Sequence, residues 1–398
     1  MPTSAAFARS VWNRRDRLDF WCLTGAIAMV GLALGTLLPL TALQLDAQGL
    51  GSAAIGLVIA VHALGLVLAI LVCERCTARY GARRTVECFG LAAAATAALM
   101  QGVSNPFAFA AALFVLGISL GVVLNMVETW VNEVVPEDQR GRWLAIHCTL
   151  FTLFQLCGPV VVQHVPAEHA FEACAGLMVL AWPIYRALSA RTLGAEEEGG
   201  GAVSWIQYLC SAPVVVVSTA LFALFDTIVL GLLPVYGLAQ GMDTATALAS
   251  ASVVLAGDTA LEIVVGVLAD RFGRARVHTV CAISLMASSL LLPLSIGTLW
   301  WWPLLFFMGG AAGGIYVLSM MACGQRFSGK HLLRMTALLG SVWGLSSIAG
   351  PLVTGVLMAH NSPWSIPAVV FAMAAGLLAS LVYERHLHTK QSREFSHA

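Results

Sequence analysis

Hydrophobic residues follow one another along nearly the whole chain in long runs that short polar segments separate. Twelve runs contain 18 or more residues each: 18–43, 52–73, 85–103, 106–130, 143–163, 170–188, 211–238, 245–268, 277–297, 299–322, 335–358 and 364–384. About 20 apolar residues in a helix cross the roughly 30 Å of a bilayer core. Because lipid offers no partners to open backbone groups, each run predicts a transmembrane α-helix. We number these helices span 1 to span 12.

The composition agrees with a protein that is embedded in lipid. Hydrophobic residues make up 59% of the 398 residues, and charged residues make up only 11%. The sequence therefore predicts an all-α, multi-pass integral membrane protein whose surroundings are the lipid bilayer. The formal net charge is zero, so the charge balance gives no reason to expect a nucleic-acid partner.

The distribution of positive charge is one-sided. All 21 Lys and Arg residues precede span 1 or follow an even-numbered span, whereas the connections that follow odd-numbered spans have none. Positively charged loops stay in the cytoplasm. The pattern predicts that both termini are cytoplasmic. In a bacterial cell, we expect the protein to lie in the inner membrane.

The chain also repeats itself without gaps at an offset of 192 residues. The repeated pairs are Gly65 and Gly257, Arg79 and Arg271, Gly81 and Gly273, Arg84 and Arg276, Gly117 and Gly309, Gly121 and Gly313, Arg142 and Arg334, Gly158 and Gly350, and Pro159 and Pro351. A repeat predicts two equivalent structural units. We expect two pseudo-symmetric six-helix bundles, residues 1–189 and 205–398, in a monomer. The charged, glycine-rich residues 190–204 are the expected cytoplasmic linker between them.

The connection after span 8, residues 266–276, reads GVLADRFGRAR. It resembles the loop signature of the major facilitator superfamily, G-x-x-x-D-R-x-G-R-x-R. The resemblance implies that fold and a cytoplasmic gate in which Gly266 allows two helices to touch, Asp270 pairs locally with an arginine, and Gly273 makes a tight turn. The first-half copy is degraded, since Glu74, Ala78 and Ala82 replace key residues. The predicted gate residues are Gly266, Asp270, Arg271, Gly273, Arg274, Arg276, Arg79, Gly81, Arg84, Arg140 and Arg142.

The end of span 4 carries a second resemblance. Glu128, Trp130 and Asn132 precede the segment 140–142, which reads RGR, and this order resembles the YcaD-like branch of the superfamily. The substrates of that branch are mostly undefined, so this resemblance does not identify the transported solute. A related branch imports copper through soft ligands on helices 7 and 8, but span 7 here has no Met, and span 8 has neither Met nor His.

Ionisable residues inside spans are costly in lipid and indicate function. Asp226 in span 7, Asp258 and Glu262 in span 8, Glu128 in span 4 and His62 in span 2 are candidates for proton coupling or cargo binding. The polar candidates of the same cavity are Asn125 and Gln155.

Residues 258, 262, 266 and 270 are spaced by four and share one helix face. In the family this face meets helix 5, where His147 and Gln155 are expected. Three alternatives remain open. The first is that the span 8 acids and Asp226 form a latch between the bundles without proton movement. The others are that Glu128 pairs with Arg79 or Arg84, and that His62 is a core histidine with its hydrogen bonds satisfied.

The sequence contains no HExxH, GxSxG or GxGxxG motif. The segment 324–331 almost matches a phosphate-binding loop, but it lacks the Ser or Thr and follows a membrane helix. We therefore expect no enzyme, no cofactor, no metal site and no ATP site. The prediction is a secondary active transporter of a small solute or ion, driven by a proton gradient. The alternatives are a transition-metal or other cation transporter related to the copper-importing branch, and a transporter-like receptor or scaffold.

Overall fold

The computed structural model describes residues 13–136, 140–189, 209–327, 329–360 and 362–396. Within these ranges the side chains of residues 140–142, 145, 329, 330, 332, 333 and 387–396 lie outside the description. The predicted linker 190–204 also lies outside the described residues. The described chain is all-helical, as the sequence predicted.

Most spans are single helices, and two are broken. Span 1 is Arg14–Ala47, span 2 Ser52–Tyr80, span 3 Ala82–Met100, span 4 Pro106–Val134 and span 5 Arg140–His164. Span 6 comprises Ala170–Val179 and Trp182–Ala187, and span 7 comprises Pro213–Gly231 and Leu233–Ala239. Span 8 is Thr244–Phe272, span 9 Arg274–Ser295, span 10 Trp301–Arg326, span 11 Gly329–Met358 and span 12 Ser365–Ser396.

Ten of the described helices are long and apolar enough to cross a membrane by themselves. The remaining two positions are span 3, whose first turns carry Arg83, Arg84 and Glu87, and span 6, which is divided into two short helices. The fold has the predicted helix order, and most helices extend beyond the apolar run by one or two turns.

Proline explains both breaks. Pro183 and Pro234 lie in the first turn of the second helix of span 6 and span 7. A proline has no amide hydrogen to donate, and its ring clashes with the preceding turn, so a helix readily stops before it and restarts at it. The sequence predicted one continuous helix at each place.

Glycine contacts inside each bundle reproduce the repeat. A Cβ atom built on Gly65 would lie 2.5 Å from the Phe114 carbonyl oxygen, so span 2 and span 4 touch through their backbones there. Gly257 meets the carbonyl oxygen of Phe306 between span 8 and span 10, at positions 192 residues later. The same contact in both halves indicates two pseudo-symmetric bundles, because small residues allow membrane helices to approach closely.

The ends that bear arginine gather at one side of the molecule, which we call the basic face. Arg15 at the start of span 1 donates to the carbonyl oxygen of Ala187 at the end of span 6, at 2.7 Å. Arg326 at the end of span 10 pairs with Glu384 near the end of span 12, at 2.5 Å. The other side, where odd-numbered spans end, is the opposite face.

The surface between the two bundles, the seam, is closed near the opposite face. The Ser52 hydroxyl donates to the carbonyl oxygen of Gly355 at 3.0 Å, which joins span 2 to span 11. The Gln163 amide donates to the carbonyl oxygen of Ala245 at 3.1 Å, which joins span 5 to span 8. A Cβ atom on Gly56 would overlap the backbone of span 11, so the helices are in van der Waals contact here.

Towards the basic face, two described glycines of the second bundle have open space beside them. Cβ atoms built on Gly266 in span 8 and on Gly340 in span 11 would have no atom within 4 Å. Each described ion pair also joins residues of the same bundle. The described hydrogen bonds across the seam lie in its opposite half, and we therefore interpret the seam, as far as the described residues go, as a cleft that opens at the basic face and is closed at the opposite face.

Candidate functional site

Asp226 and Gln155 lie on opposite sides of the seam and approach each other across it. Asp226 lies in the middle of span 7, and its carboxyl group is within hydrogen-bonding reach of the Gln155 side chain from span 5. Gln155 is buried because the backbone at this position packs against Gly35 of span 1. The sequence predicted that Gln155 would meet the span 8 acids, and the structure pairs it with Asp226 instead. One carboxyl group of the second bundle thus touches the first bundle.

Asp258 lies next to Asp226 but within its own bundle. Its side chain is 4% exposed, and its Oδ1 atom has no hydrogen-bond partner among the described residues. Oδ1 occupies the space above Gly313 of span 10 in which a side chain would otherwise lie. Asp258 is also within electrostatic range of both Asp226 and Glu262. Span 7 and span 8 therefore bring three carboxyl groups together on the second bundle.

Glu262 and Glu128 are two acids that water can reach, one from each bundle. Glu262 is half-buried in span 8, and Glu128 of span 4 is exposed to solvent although it is surrounded by protein atoms. That combination is typical of a residue that lines a deep open cleft. Both acids lie within electrostatic range of the Cys148 thiol of span 5 and of the Tyr316 hydroxyl of span 10. The two bundles therefore each contribute an accessible acid to the cleft.

The acids of the cleft have no basic counterpart in the described part of the chain. No ion pair joins Glu128 to Arg79 or Arg84, so the structural pairing considered for Glu128 is wrong in this conformation. The arginines lie at the helix ends on the basic face, whereas Glu128 faces inward. Asp226, Asp258 and Glu262 likewise have no Lys or Arg near them among the described residues.

The histidines lie away from the acids. His147 was expected to face span 8, but its Nδ1 atom is 3.1 Å from the Thr24 hydroxyl in span 1 of its own bundle. His62 is buried where span 2 packs on Gly117 of span 4. Its Nε2 atom has no partner among the described residues, so it is a core histidine whose hydrogen bonds are not all satisfied. Asn125 donates to the carbonyl oxygen of Gly121 in its own helix, at 2.7 Å.

An aromatic cluster lines the second bundle, and the motif analysis missed it. Tyr316 stacks on Phe222 of span 7 with ring centroids 4.8 Å apart and an interplanar angle of 15°. Trp343 of span 11 packs edge-on against Tyr316 at 5.4 Å. The repeat offset would have identified two of these rings, since the first-half positions hold Leu124 in place of Tyr316 and Val30 in place of Phe222.

The predicted turns of the gate are present. Gly81 and Gly273 have φ values of +81° and +87°, a left-handed conformation that residues other than glycine rarely adopt. Arg79 lies over the ring of Tyr80 at 5.5 Å, and Arg271 lies over the ring of Phe272 at 5.4 Å. Two connections 192 residues apart therefore share one backbone turn and one cation–π contact.

The other gate contacts differ from the expectation. Gly266 touches no second helix, and Asp270 is exposed and has no ion-pair partner in the described chain. Neither the helix contact expected of Gly266 nor the local ion pair expected of Asp270 is present among the described residues in this conformation. Arg274 instead hydrogen-bonds to Gln325 within the second bundle. Arg84 and Arg276 have no ion pair among the described residues, and the side chains of Arg140 and Arg142 lie outside them.

Comparison with known proteins identifies the family. The family model of the Major Facilitator Superfamily matches residues 20–257 and 248–396. The chain is 23% identical over 365 residues to the uncharacterized MFS-type transporter YfkF of Bacillus subtilis (strain 168), covering 86% of this chain and 89% of that protein.

Solved transporters share the fold at low sequence identity. The nucleoside transporter NupG matches with a TM-score of 0.72 at 12% identity, over 92% of this chain and 98% of that one. A D-xylose–proton symporter matches with a TM-score of 0.69 at 14% identity, over 92% and 97%. A bacterial homolog of the human lysosomal transporter Spinster, solved in an inward-facing and unoccupied conformation, gives 0.70 at 11% identity, over 93% and 96%. With its two six-helix bundles and a family match over nearly its entire length, the chain belongs to the Major Facilitator Superfamily.

Proposed function

We propose that this protein is a proton-coupled secondary active transporter that moves a small solute across the membrane by alternating access. The cleft between the bundles is the path of the solute. In this structure the described cleft is open at the basic face, and the positive charges there support a cytoplasmic orientation of that face, with a bacterial inner membrane as the proposed location. The structural likeness to a D-xylose–proton symporter agrees with this proposal and does not identify the solute that this chain moves.

The observation that carries the proposal is the contact between Asp226 and Gln155. It is a point at which a carboxyl group of one bundle lies within hydrogen-bonding reach of a side chain of the other bundle. A change of protonation changes which hydrogen bonds a carboxyl group can donate and accept. Proton binding at Asp226 therefore acts directly on the surface along which the two bundles must move.

Asp258 and Glu262 extend the proton path along span 8. A charged carboxylate that is buried without a partner is costly, and the neutral form avoids that cost. Asp258 meets this condition in the present conformation, and Glu262 one turn away connects it to the water of the cleft. We expect the proton to enter and leave through Glu262 when the cleft is open at the basic face.

The gate accounts for the other half of the cycle. Gly266, Asp270 and Arg271 lie where the bundles are apart, so their contacts belong to the state in which the basic face is closed and the opposite face is open. Ser52 and Gly355 close the opposite face now and would separate in that state. The resemblance to the YcaD-like branch fits such a cycle and leaves the cargo undefined.

Two other functions are weighed against this one. A transition-metal carrier needs soft or imidazole ligands that converge, whereas Cys148 is the one thiol or imidazole that the described cleft places beside Glu128 and Glu262. A receptor or scaffold that moves nothing has no use for ionisable acids inside membrane spans, whereas the spans here contain Glu128, Asp226, Asp258 and Glu262. A cation transporter that uses these hard oxygen ligands is compatible with the proposal.

The test is uptake into proteoliposomes, screened with a panel of solutes and metal ions in the presence and absence of a pH gradient. The proposal predicts that at least one organic solute accumulates only when the gradient is present. Equal uptake with and without the gradient would remove proton coupling. A panel in which metal ions alone are transported would favour the metal carrier.

A further inference from the structure

We propose that the cleft selects an organic cation with an aromatic or apolar body, such as a lipophilic amine or phosphonium. This inference rests on the proposed function and names its substrate class. It follows from the juxtaposition of the aromatic cluster, Phe222, Tyr316 and Trp343, with the uncompensated acids of the cleft.

The three rings of the aromatic cluster hold one another in place. Phe222 and Tyr316 are stacked, and Trp343 packs edge-on against Tyr316, at 5.4 Å, and tilted against Phe222, at 5.6 Å. Tyr316 and Trp343 are only half-buried, so part of each ring is accessible. Rings fixed by one another present apolar surface at little entropic cost, and their faces attract cations.

The Tyr316 hydroxyl lies within electrostatic range of Glu128, Asp258 and Glu262, which come from both bundles. Asp258 is nine-tenths buried, and its Oδ1 atom is unpartnered. No Lys or Arg of the described chain balances these acids. A cationic ligand would supply the missing charge, whereas an anion would be repelled.

The acids and the tyrosine of the cleft are not needed for the helix packing that the two halves share. At the repeat offset of 192, Asp258 corresponds to Leu66, Glu262 to Ile70 and Tyr316 to Leu124. Two glycine contacts near these positions are the same in both halves, those of Gly65 and Gly257 and those of Gly117 and Gly309, so the first bundle builds this helix packing with aliphatic residues. The acids and the tyrosine are therefore additions to the repeated fold, and the cleft is where they meet.

The experiment measures equilibrium binding to the purified full-length protein, without a gradient. The probes are tetraphenylphosphonium and tetraphenylborate, which share size and shape and carry opposite charge. We expect saturable binding of the phosphonium and at least about tenfold weaker binding of the borate. Tyr316→Leu should weaken phosphonium binding by about 3- to 30-fold, the range of a cation–π contact, and Tyr316→Phe should stay within about twofold.

Two charge variants and one control variant test which residues bind the phosphonium. Glu262→Gln and Glu128→Gln should each weaken phosphonium binding, whereas Trp300→Leu, at an exposed ring near the opposite face, should not. Equal binding of both probes would overturn the inference, as would absent phosphonium binding to the folded wild type or unchanged affinity in Tyr316→Leu and Glu262→Gln together. Proton-driven transport of a neutral or anionic solute by a protein that does not bind phosphonium would overturn this inference alone. Phosphonium binding without any transport would overturn the proposed function alone.

Discussion

The Oδ1 atom of Asp258 occupies the space above the Cα atom of Gly313, so that span 8 and span 10 fit together only because residue 313 has no side chain. In the first bundle, Gly121 meets the backbone of Leu66 and the methyl group of Ala69 at the matching place. The repeated glycine thus supports ordinary helix packing in one half and holds a carboxyl group in the other.

This relationship predicts a specific coupling. Gly313→Ala should lower stability by about 1–3 kcal/mol because the added methyl group overlaps the carboxyl group. The loss should be largely recovered in the background Asp258→Ala, which empties the space. The melting temperature in detergent measures both effects, and Gly340→Ala is the matched control because a Cβ there meets no atom within 4 Å. Strictly additive losses in the double variant would show that the two residues do not interact.

The closed side of the seam supplies a second prediction. A methyl group in Gly56→Ala would overlap the backbone at Pro351 and hinder closure of the opposite face. The protein should then populate the state in which the basic face is closed. Spin labels at Tyr80 and Phe272, exposed residues at the basic ends of span 2 and span 8, should report a shorter distance.

The control for that measurement is Gly176→Ala, since a Cβ atom at Gly176 has open space around it. Its distance distribution should match that of the unsubstituted protein. If Gly56→Ala also leaves the distribution unchanged, the seam near Gly56 does not determine which face is open.

The gate gives a third prediction, in which folding and transport separate. Gly266→Leu meets open space in this conformation, so the variant should fold with a melting temperature close to that of the wild type. Transport should nevertheless be lost, because closure of the basic face must bring another helix against this position. Asp270→Asn should reduce transport less severely, by removal of one charge-assisted contact. Wild-type transport rates in both variants would exclude a gating role for this connection.

The helical architecture could be read from the sequence because apolar runs, glycine repeats and the arginine partition are local signals. The turns at Gly81 and Gly273 could be predicted in this way, because their left-handed backbone conformation requires glycine. The breaks at Pro183 and Pro234 were not anticipated, because proline within a membrane span is often tolerated as a kink.

The site was predictable only in its residue types. Buried acids in spans could be recognised as functional, but the partner of each depends on helix rotation, which an apolar pattern leaves undetermined. For this reason the sequence did not predict that Gln155 lies beside Asp226 of span 7, or that His147 lies beside Thr24 of span 1. The contacts of Gly266 and Asp270 depend on which face is open. One sequence must fit every conformation of the transport cycle, so it does not show which contacts form in a given conformation.

The central claim is that a proton on the carboxyl group of Asp226 drives solute movement. The matched control is Asp243→Asn, a surface acid that caps span 8. Hydrogen bonds from the Thr246 hydroxyl and amide lower the pKa of Asp243. This group therefore stays charged at and above its ordinary pKa, and its contribution to stability is lost only as the pH falls through the lowered value. It should not respond to a gradient between about pH 5 and pH 8.

The most direct test compares gradient-driven accumulation with solute exchange in Asp226→Asn proteoliposomes, using the cargo that the uptake screen identifies. We predict that accumulation driven by the pH gradient falls to the level of protein-free vesicles while exchange continues, and that Asp243→Asn retains both. Gradient-driven accumulation at the wild-type level in Asp226→Asn would contradict the account.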